Sequence, residues 1–372
     1  MQGRALGPAV LRLVPTSAGA AREMARGVLR RPDVPRQALH VGVLVADPPD
    51  RPGRGSRLLA GLHLGLDQAR DLDVVVTATG ATLFGPALLD ASARLLDAGI
   101  DVLVVTSTSI AGLVGPVCAA RGIGLVVADE GDLVEHPVQH RRGVLRRTEQ
   151  HWQEAYVLGH WAGRHLDGSL FQLVTRDEEL GDGVLALRAG YLESGGDVAG
   201  SVEVWPKSAT AAALVARVSG ARVIAVHATG HQLQEIVREL RAARVPAEIV
   251  VAGRGVDERT LAELGRGGPL YAASAWHRPD APDLSVSLEL GTGEQPDAVT
   301  ALGHEIAGTL IEACRRDGLF DLDAAPADRP LVVRRAANGR SSIVARRDVP
   351  AVLPDLDAVA VLPAIAALPH HG

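Results

Sequence analysis

Lysine is almost absent from this chain: of 38 basic residues only Lys207 is a lysine. A phosphate-cradling P-loop needs Gly-Lys-Ser/Thr, and Lys207 stands in WPKSA, so nucleotide hydrolysis by that route is excluded. With so much Ala, Gly and Arg, the shortage reflects genome base composition rather than chemistry. Cysteine is nearly as scarce. Cys118 and Cys314 fall in predicted helices far apart in sequence, so they are expected as small core fillers, not as a disulfide or a metal pair. No run of about eighteen apolar residues occurs, so the sequence offers no transmembrane segment. Positive charge is not in excess either. The net charge of −6 gives no reason to expect a nucleic-acid partner.

Catalytic constellations are missing too. The junction ADPPDRPGRGSRLLAG (46–61) has glycines that mimic a dinucleotide fingerprint, but Pro48, Pro49 and Pro52 make it a long loop where a tight turn is required. TSTSIAG lacks the leading glycine of a nucleophile elbow. His304-Glu305 opens like a zinc-protease helix without a second histidine one turn on. Histidines at 136/140, 160/165 and 227/231 form no ligand set with cysteines or carboxylates and are expected at the surface or in packing. No cofactor and no metal are expected, and no nucleophile is paired with a base.

What is present is alternation. Residues 1–39 form a basic extension with seven Arg in the first 37 positions, and its apolar stretch is broken by Arg12 and Pro15. That segment lacks the continuous core of a secretory signal, so a cytoplasmic product is expected as the sequence stands, and an extracytoplasmic one if the true start lies upstream. From His40 onward, strand-like runs at 40–46, 73–79, 101–107 and 123–129 alternate with helical stretches at 55–71, 84–98 and 109–121. The run EHPVQHRRG (135–143) interrupts the pattern. It restarts with helices at 149–166, 181–194, 208–219, 230–243 and 257–265 between strands at 169–175, 197–205, 221–228 and 247–253. Short β-branched runs separated by helical periods indicate βαβ units and parallel sheets, here as two doubly wound α/β lobes. After PLYAASAW (269–276) come a helix at 296–316 and a hairpin at 331–347 turning at Asn338-Gly339. The C-terminal LPAIAALPHHG is expected as a loose tail.

The stretch VLVVTSTSIAG (102–112) places Thr106, Ser107, Thr108 and Ser109 at the carboxyl end of a buried strand. Two readings stand. Ser109 can be the N-cap of the helix that follows, or the hydroxyls can line a ligand site beyond the strand ends of an open α/β sheet.

The order of segments resembles the type I periplasmic binding proteins of the leucine/isoleucine/valine class. The resemblance runs from about His40 to about Arg347. It is carried by GRGSRLLAGLHLGLDQA, ARLLDAGIDVLVVTSTS, PVCAARGIGLVVADE, LRRTEQHWQEAYVLGHWA, RDEELGDGVLALRAGYLESGGDV, IVRELRAARVPAEIVVAG and HEIAGTLIEACRRDG. It implies two lobes joined by three crossovers near 146–149, 273–278 and 322–331, a ligand in the cleft and closure by a hinge. The lobes then comprise 40–147 plus 276–322 and 148–275 plus 323–350, with 351–372 as a C-terminal tail. The implied function is non-enzymatic: a solute-binding subunit of an ABC importer for an amino-acid-like or anionic molecule. Its partners are a small-molecule ligand and an ABC permease; a cytoplasmic sensor acting on a regulatory protein is the alternative. A nucleotide-using α/β enzyme is a third class, because folds of this pattern host many chemistries.

Carried over residue by residue, the resemblance puts the carboxylate-binding hydroxyl at or near Thr108, flanked by Ser107 and Ser109. The next strand end reads Ala128-Asp129-Glu130-Gly131, where the family has small residues and a threonine. The aromatic before the first helix's glycine is replaced by Arg54, and that of the "D--YG" segment by Leu180. The aromatic after AVHATG falls near His231, and the acid that pairs a ligand ammonium is replaced by Arg254. The two arginines are either solvated loop charge or bidentate donors favouring an anionic ligand.

Overall fold

The computed structural model describes residues 38–45, 47, 53–69, 72–80, 86–131, 143–175, 182–205, 208–253, 256, 258–275, 297–315, 331–347 and 366–367. The chain divides into two compact units. The described residues of the first fall within Met1–Asp129, Glu135–Thr148 and Val286–Pro326, and those of the second within Glu130–Val134, Glu149–Ser285 and Ala327–Gly372. One division follows Thr148, and the later divisions fall outside the described residues.

The first unit is built on β1 (Ala38–Val45), β2 (Asp73–Gly80), β3 (Val102–Val105), β4 (Gly124–Asp129) and β5 (Val144–Thr148). They form one parallel sheet in the order β2-β1-β3-β4-β5. Strands β3 and β4 are buried along their whole length, which is why VLVV and GLVVAD read as continuous apolar runs. Helices α1 (Arg54–Asp67) and α9 (Ala298–Arg315) cover one face, packing Leu58, Leu62, Ile306 and Leu310 on Val41, Val43 and Val104. Helices α2 (Pro86–Asp97) and α3 (Thr108–Arg121) cover the other, with Leu95, Ile110 and Val114 against Leu44, Leu103 and Val105. The α1–α9 pair is close because its contact residues are glycines. A Cβ on Gly61 would collide with the carbonyl oxygen of Thr300, and one on Gly303 with that of Leu58.

The second unit carries β6 (Leu170–Thr175), β7 (Val198–Val204), β8 (Val223–His227), β9 (Glu248–Val251), β10 (Leu270–Ser274), β11 (Leu331–Ala337), β12 (Arg340–Arg347) and β13 (Ala366–Ala367). The sheet order is β12-β11-β10-β9-β8-β6-β7-β13. It is parallel from β10 through β13 and closes with the antiparallel hairpin β11–β12. Asn338 and Gly339 take φ of 53° and 73°, the two left-handed positions of a type I′ turn. Helices α4 (His151–His165) and α5 (Asp182–Glu193) pack on one face, and α6 (Ala209–Val218), α7 (Gly230–Ala242) and α8 (Glu258–Gly265) on the other.

Three expectations are corrected. Strand β5 was not anticipated: VLRRT holds two arginines in five residues, and only its in-out alternation beside β4 makes it a strand. The C-terminal tail is not wholly loose, since Ala366 and Ala367 pair in parallel with Val202 and Glu203. The cap of α3 is Ser107, not Ser109. Its backbone is extended and its Oγ accepts the Ser109 N–H at 3.2 Å.

Candidate functional site

In doubly wound sheets a crevice opens where the strand order reverses, because the helices after the two strands leave on opposite faces. In the first unit this point lies between β1 and β3, whose helices α1 and α3 pack on opposite sides. The hydroxyl run sits there. Thr106 and Thr108 are buried, and Ser107 and Thr108 open α3. The helix has no acidic residue in its first turn.

The polar groups of this edge are engaged with one another. Asp47 accepts the backbone N–H groups of Gly53 and Gly55 at 2.8 and 2.6 Å, so the amino end of α1 holds a carboxylate from its own loop. Arg54 is 1% exposed, and its guanidinium donates to the carbonyls of Thr106 at 3.3 Å and Ala128 at 3.2 Å. A planar donor fork suits this task, because Thr106 and Ala128 each follow one residue of the paired Val105 and Val127. Arg54 is therefore not solvated loop charge. Asp129, 3% exposed at the end of β4, receives Nε of Arg146 at 2.8 Å and its Nη2 at 3.3 Å. The Thr108 hydroxyl donates to the same carboxylate at 3.4 Å.

In the second unit the order reverses at β6, between β6 and β8. Among the described residues, the buried polar side chains that meet there are Thr175, Gln172 and His227, none of them a carboxylate or a guanidinium. Thr175 at the end of β6 donates its hydroxyl to the carbonyl of His227 at 3.2 Å. His227 is fully buried, and burial, reinforced by His151, pushes its pKa down to about 3. Gln172 Nε2 donates to the Val184 carbonyl at 3.0 Å and lies 3.1 Å from His227 Nε2. A nitrogen committed to a carbonyl is a donor, so the imidazole Nε2 accepts and the ring proton is assigned to Nδ1. His231 stands in the first turn of α7 with its side chain 78% exposed, 3.7 Å from Glu235. The 227/231 pair thus divides into one packing and one surface residue.

Residues 87–328 match a family described as periplasmic binding protein. The chain belongs to the periplasmic binding protein family. Solved structures of the family share its fold across most of both chains. A substrate-binding protein of an ABC transporter from Sphaerobacter thermophilus is 16% identical, with a TM-score of 0.72 over 84% of this chain and 98% of that one. A solute-binding protein from R. palustris in complex with benzoate is 14% identical, TM-score 0.68, over 85% and 98%. A leucine-binding protein from Thermotoga maritima is 17% identical, TM-score 0.66, over 84% and 99%. At these identities the likeness establishes the type I fold. A comparison with curated protein sequences gives no significant match.

For a periplasmic binding protein the residues named from sequence distribute unevenly. Arg54, Ser107, Thr108, Ser109 and Asp129 gather at one edge of the first unit. Glu130 follows Asp129 and accepts the His151 N–H at 3.0 Å through its backbone, in the second unit with His231. Arg254 and Leu180 lie outside the described residues. Sequence reading missed Asp47 and Arg146. The available clue to Arg146 was the alternation of VLRRT, which puts Arg146 on the same sheet face as Thr148, the residue paired with Asp129. Among the described residues no helix is long and apolar enough to cross a membrane.

Proposed function

We propose that this protein is the solute-binding component of an ABC-type importer, a non-catalytic receptor for one small molecule. The observation that carries this reading is the carboxyl edge of the first unit. Hydroxyls of Ser107 and Thr108 stand at the opening of α3, beside the strand-order reversal at which α/β folds hold ligands. Family membership supports the same reading, as do relatives described as solute-binding or leucine-binding proteins. Ser107, Thr108 and Ser109 are the proposed contacts on the first unit; Glu130, His231 and Arg254 are candidates that the resemblance alone supplies. The hinge closure implied by the resemblance is part of the proposal, as is a permease that receives the closed form.

A thermal-shift screen against amino acids, amides, aromatic and aliphatic carboxylates and sugars tests the reading. A ligand specific to the folded state at a hundred times its dissociation constant stabilises by about 2.7 kcal/mol. The expected result is one chemical class that raises the melting temperature, with a smaller radius of gyration in solution scattering when bound. A protein that responds to no class, or that responds without contracting, would remove the receptor reading or its closure step respectively.

A further inference from the structure

At the edge of the first unit the Thr108 hydroxyl donates to Asp129 at 3.4 Å. The carboxylate of Asp129 in turn holds both the Nε and the Nη2 of Arg146. The group is largely closed to water: Thr108 is 7% exposed, Asp129 3%, and the Arg146 side chain 16%. A hydroxyl and a forked guanidinium converging on one spot are a carboxylate receptor. In this protein the carboxylate is its own.

We propose that Asp129 is an internal carboxylate standing where a solute carboxylate would meet Thr108 and Arg146, so that the bound solute is uncharged where it touches this edge. The proposal rests on the solute-binding reading and adds its ligand class: neutral molecules carrying amide or hydroxyl groups. Asp129 and Arg146 set that preference. A second carboxylate would meet the first at close range with the guanidinium fork already occupied, a like-charge contact that selects against it. A neutral donor can instead reach the second lone pair of the half-buried Ser107 hydroxyl without displacing the pair. Arg54 keeps its charge beside this pair, but its two terminal nitrogens are donated to the carbonyls of Thr106 and Ala128, so a bidentate contact with a solute carboxylate would have to break those bonds.

The test uses matched probes on the whole chain, benzamide against benzoate and isovaleramide against isovalerate, by calorimetric titration. Wild type is expected to prefer the amide of a pair at least tenfold. In Asp129→Ala the guanidinium is released, and the preference should invert, with acetate alone now raising the melting temperature in a saturable way. Asp129→Ala with Arg146→Ala should lose the acetate response. Wild type that binds the carboxylates as tightly as the amides overturns the proposal and leaves the receptor reading standing. If Asp129→Ala does not fold, that wild-type comparison still decides. A folded Asp129→Ala that ignores acetate also overturns it. No response to any probe by any variant, alongside an empty thermal-shift screen, counts against the receptor reading itself and the proposal with it.

Discussion

The two units share a five-stranded parallel core, to which the second adds the hairpin β11–β12 and β13. They differ in how they fill the crevice where the strand order reverses. Both bury one sheet face under a helix pair drawn together by glycines: Gly61 and Gly303 between α1 and α9, Gly159 and Gly190 between α4 and α5. In the first unit the crevice receives a permanent cation, Arg54, that satisfies two strand-end carbonyls. In the second it receives a neutral, titratable network of Thr175, His227 and Gln172. One scaffold therefore accepts two polar solutions: a charged fork on two carbonyls in one unit, and in the other a neutral network in which His227 Nε2 accepts from Gln172. The solutions respond differently to solvent. A guanidinium keeps its proton throughout the physiological range, whereas a buried imidazole ties stability to pH.

The shared glycine contacts give the largest expected effect. A methyl on Gly61 meets the Thr300 backbone, and one on Gly159 meets the Leu187 backbone, so neither can be relieved by a side-chain rotation. Gly61→Ala and Gly159→Ala should each cost about 3 kcal/mol or more. Hydrogen exchange followed residue by residue should show the loss mainly in the unit that carries the change. Equal loosening of both units would show that the contacts are not private to each.

Next comes the crevice itself. Arg54→Met leaves the Thr106 and Ala128 carbonyls buried without that donor and should cost about 3 kcal/mol in denaturant unfolding. Arg54→Lys should recover only part of it, since one ammonium cannot reproduce the fork. In the second unit, Gln172→Leu removes a neutral donor from Val184 and His227 and should cost about 2 kcal/mol. A loss from Gln172→Leu that exceeds that from Arg54→Met would reverse the ranking of charged over neutral plug.

The pH dependence separates the units further. His227 is held near pKa 3 in the fold against 6.5 for an ordinary histidine. Between those values the unfolded chain binds a proton that the folded chain refuses, so stability falls as pH drops through 6.5 and levels off below about 3. The slope is at most about 1.4 kcal/mol per pH unit for this group. His160 in the second unit and His304 in the first are also lowered, chiefly by burial, and act in the same direction. Urea titrations from pH 7 to pH 4 should show the slope, and His227→Gln should flatten it in the second unit. The smallest effect is a gain. Gly308 is an exposed position of α9 with open space at its Cβ, so Gly308→Ala should stabilise the first unit by about 0.5–1 kcal/mol.

The alternation of VLVV, GLVVAD, LFQLVT and VIAVH with helical periods determined two parallel-sheet units without any tertiary information, because strands buried on both faces must be continuously apolar. Asn338-Gly339 likewise announced its hairpin, since few other pairs accept two left-handed residues in succession. The hydroxyl run at 106–109 located one strand edge for the same local reason: small polar residues between a buried strand and a helix end where backbone groups lack partners. What each polar side chain does there was decided only by the tertiary fold. Arg54 and Thr106 are 52 residues apart, Arg54 and Ala128 are 74 apart, and Arg146 reaches Asp129 across 17. A charged residue in a loop-like sequence reads the same whether it faces water or a carbonyl. The difference is made by which strand ends the sheet order brings beside it, and that order, β2-β1-β3-β4-β5, is fixed by long-range packing. The same holds for β5 and β13, short pieces with weak patterns of their own that become strands because a neighbouring edge offers unpaired backbone groups.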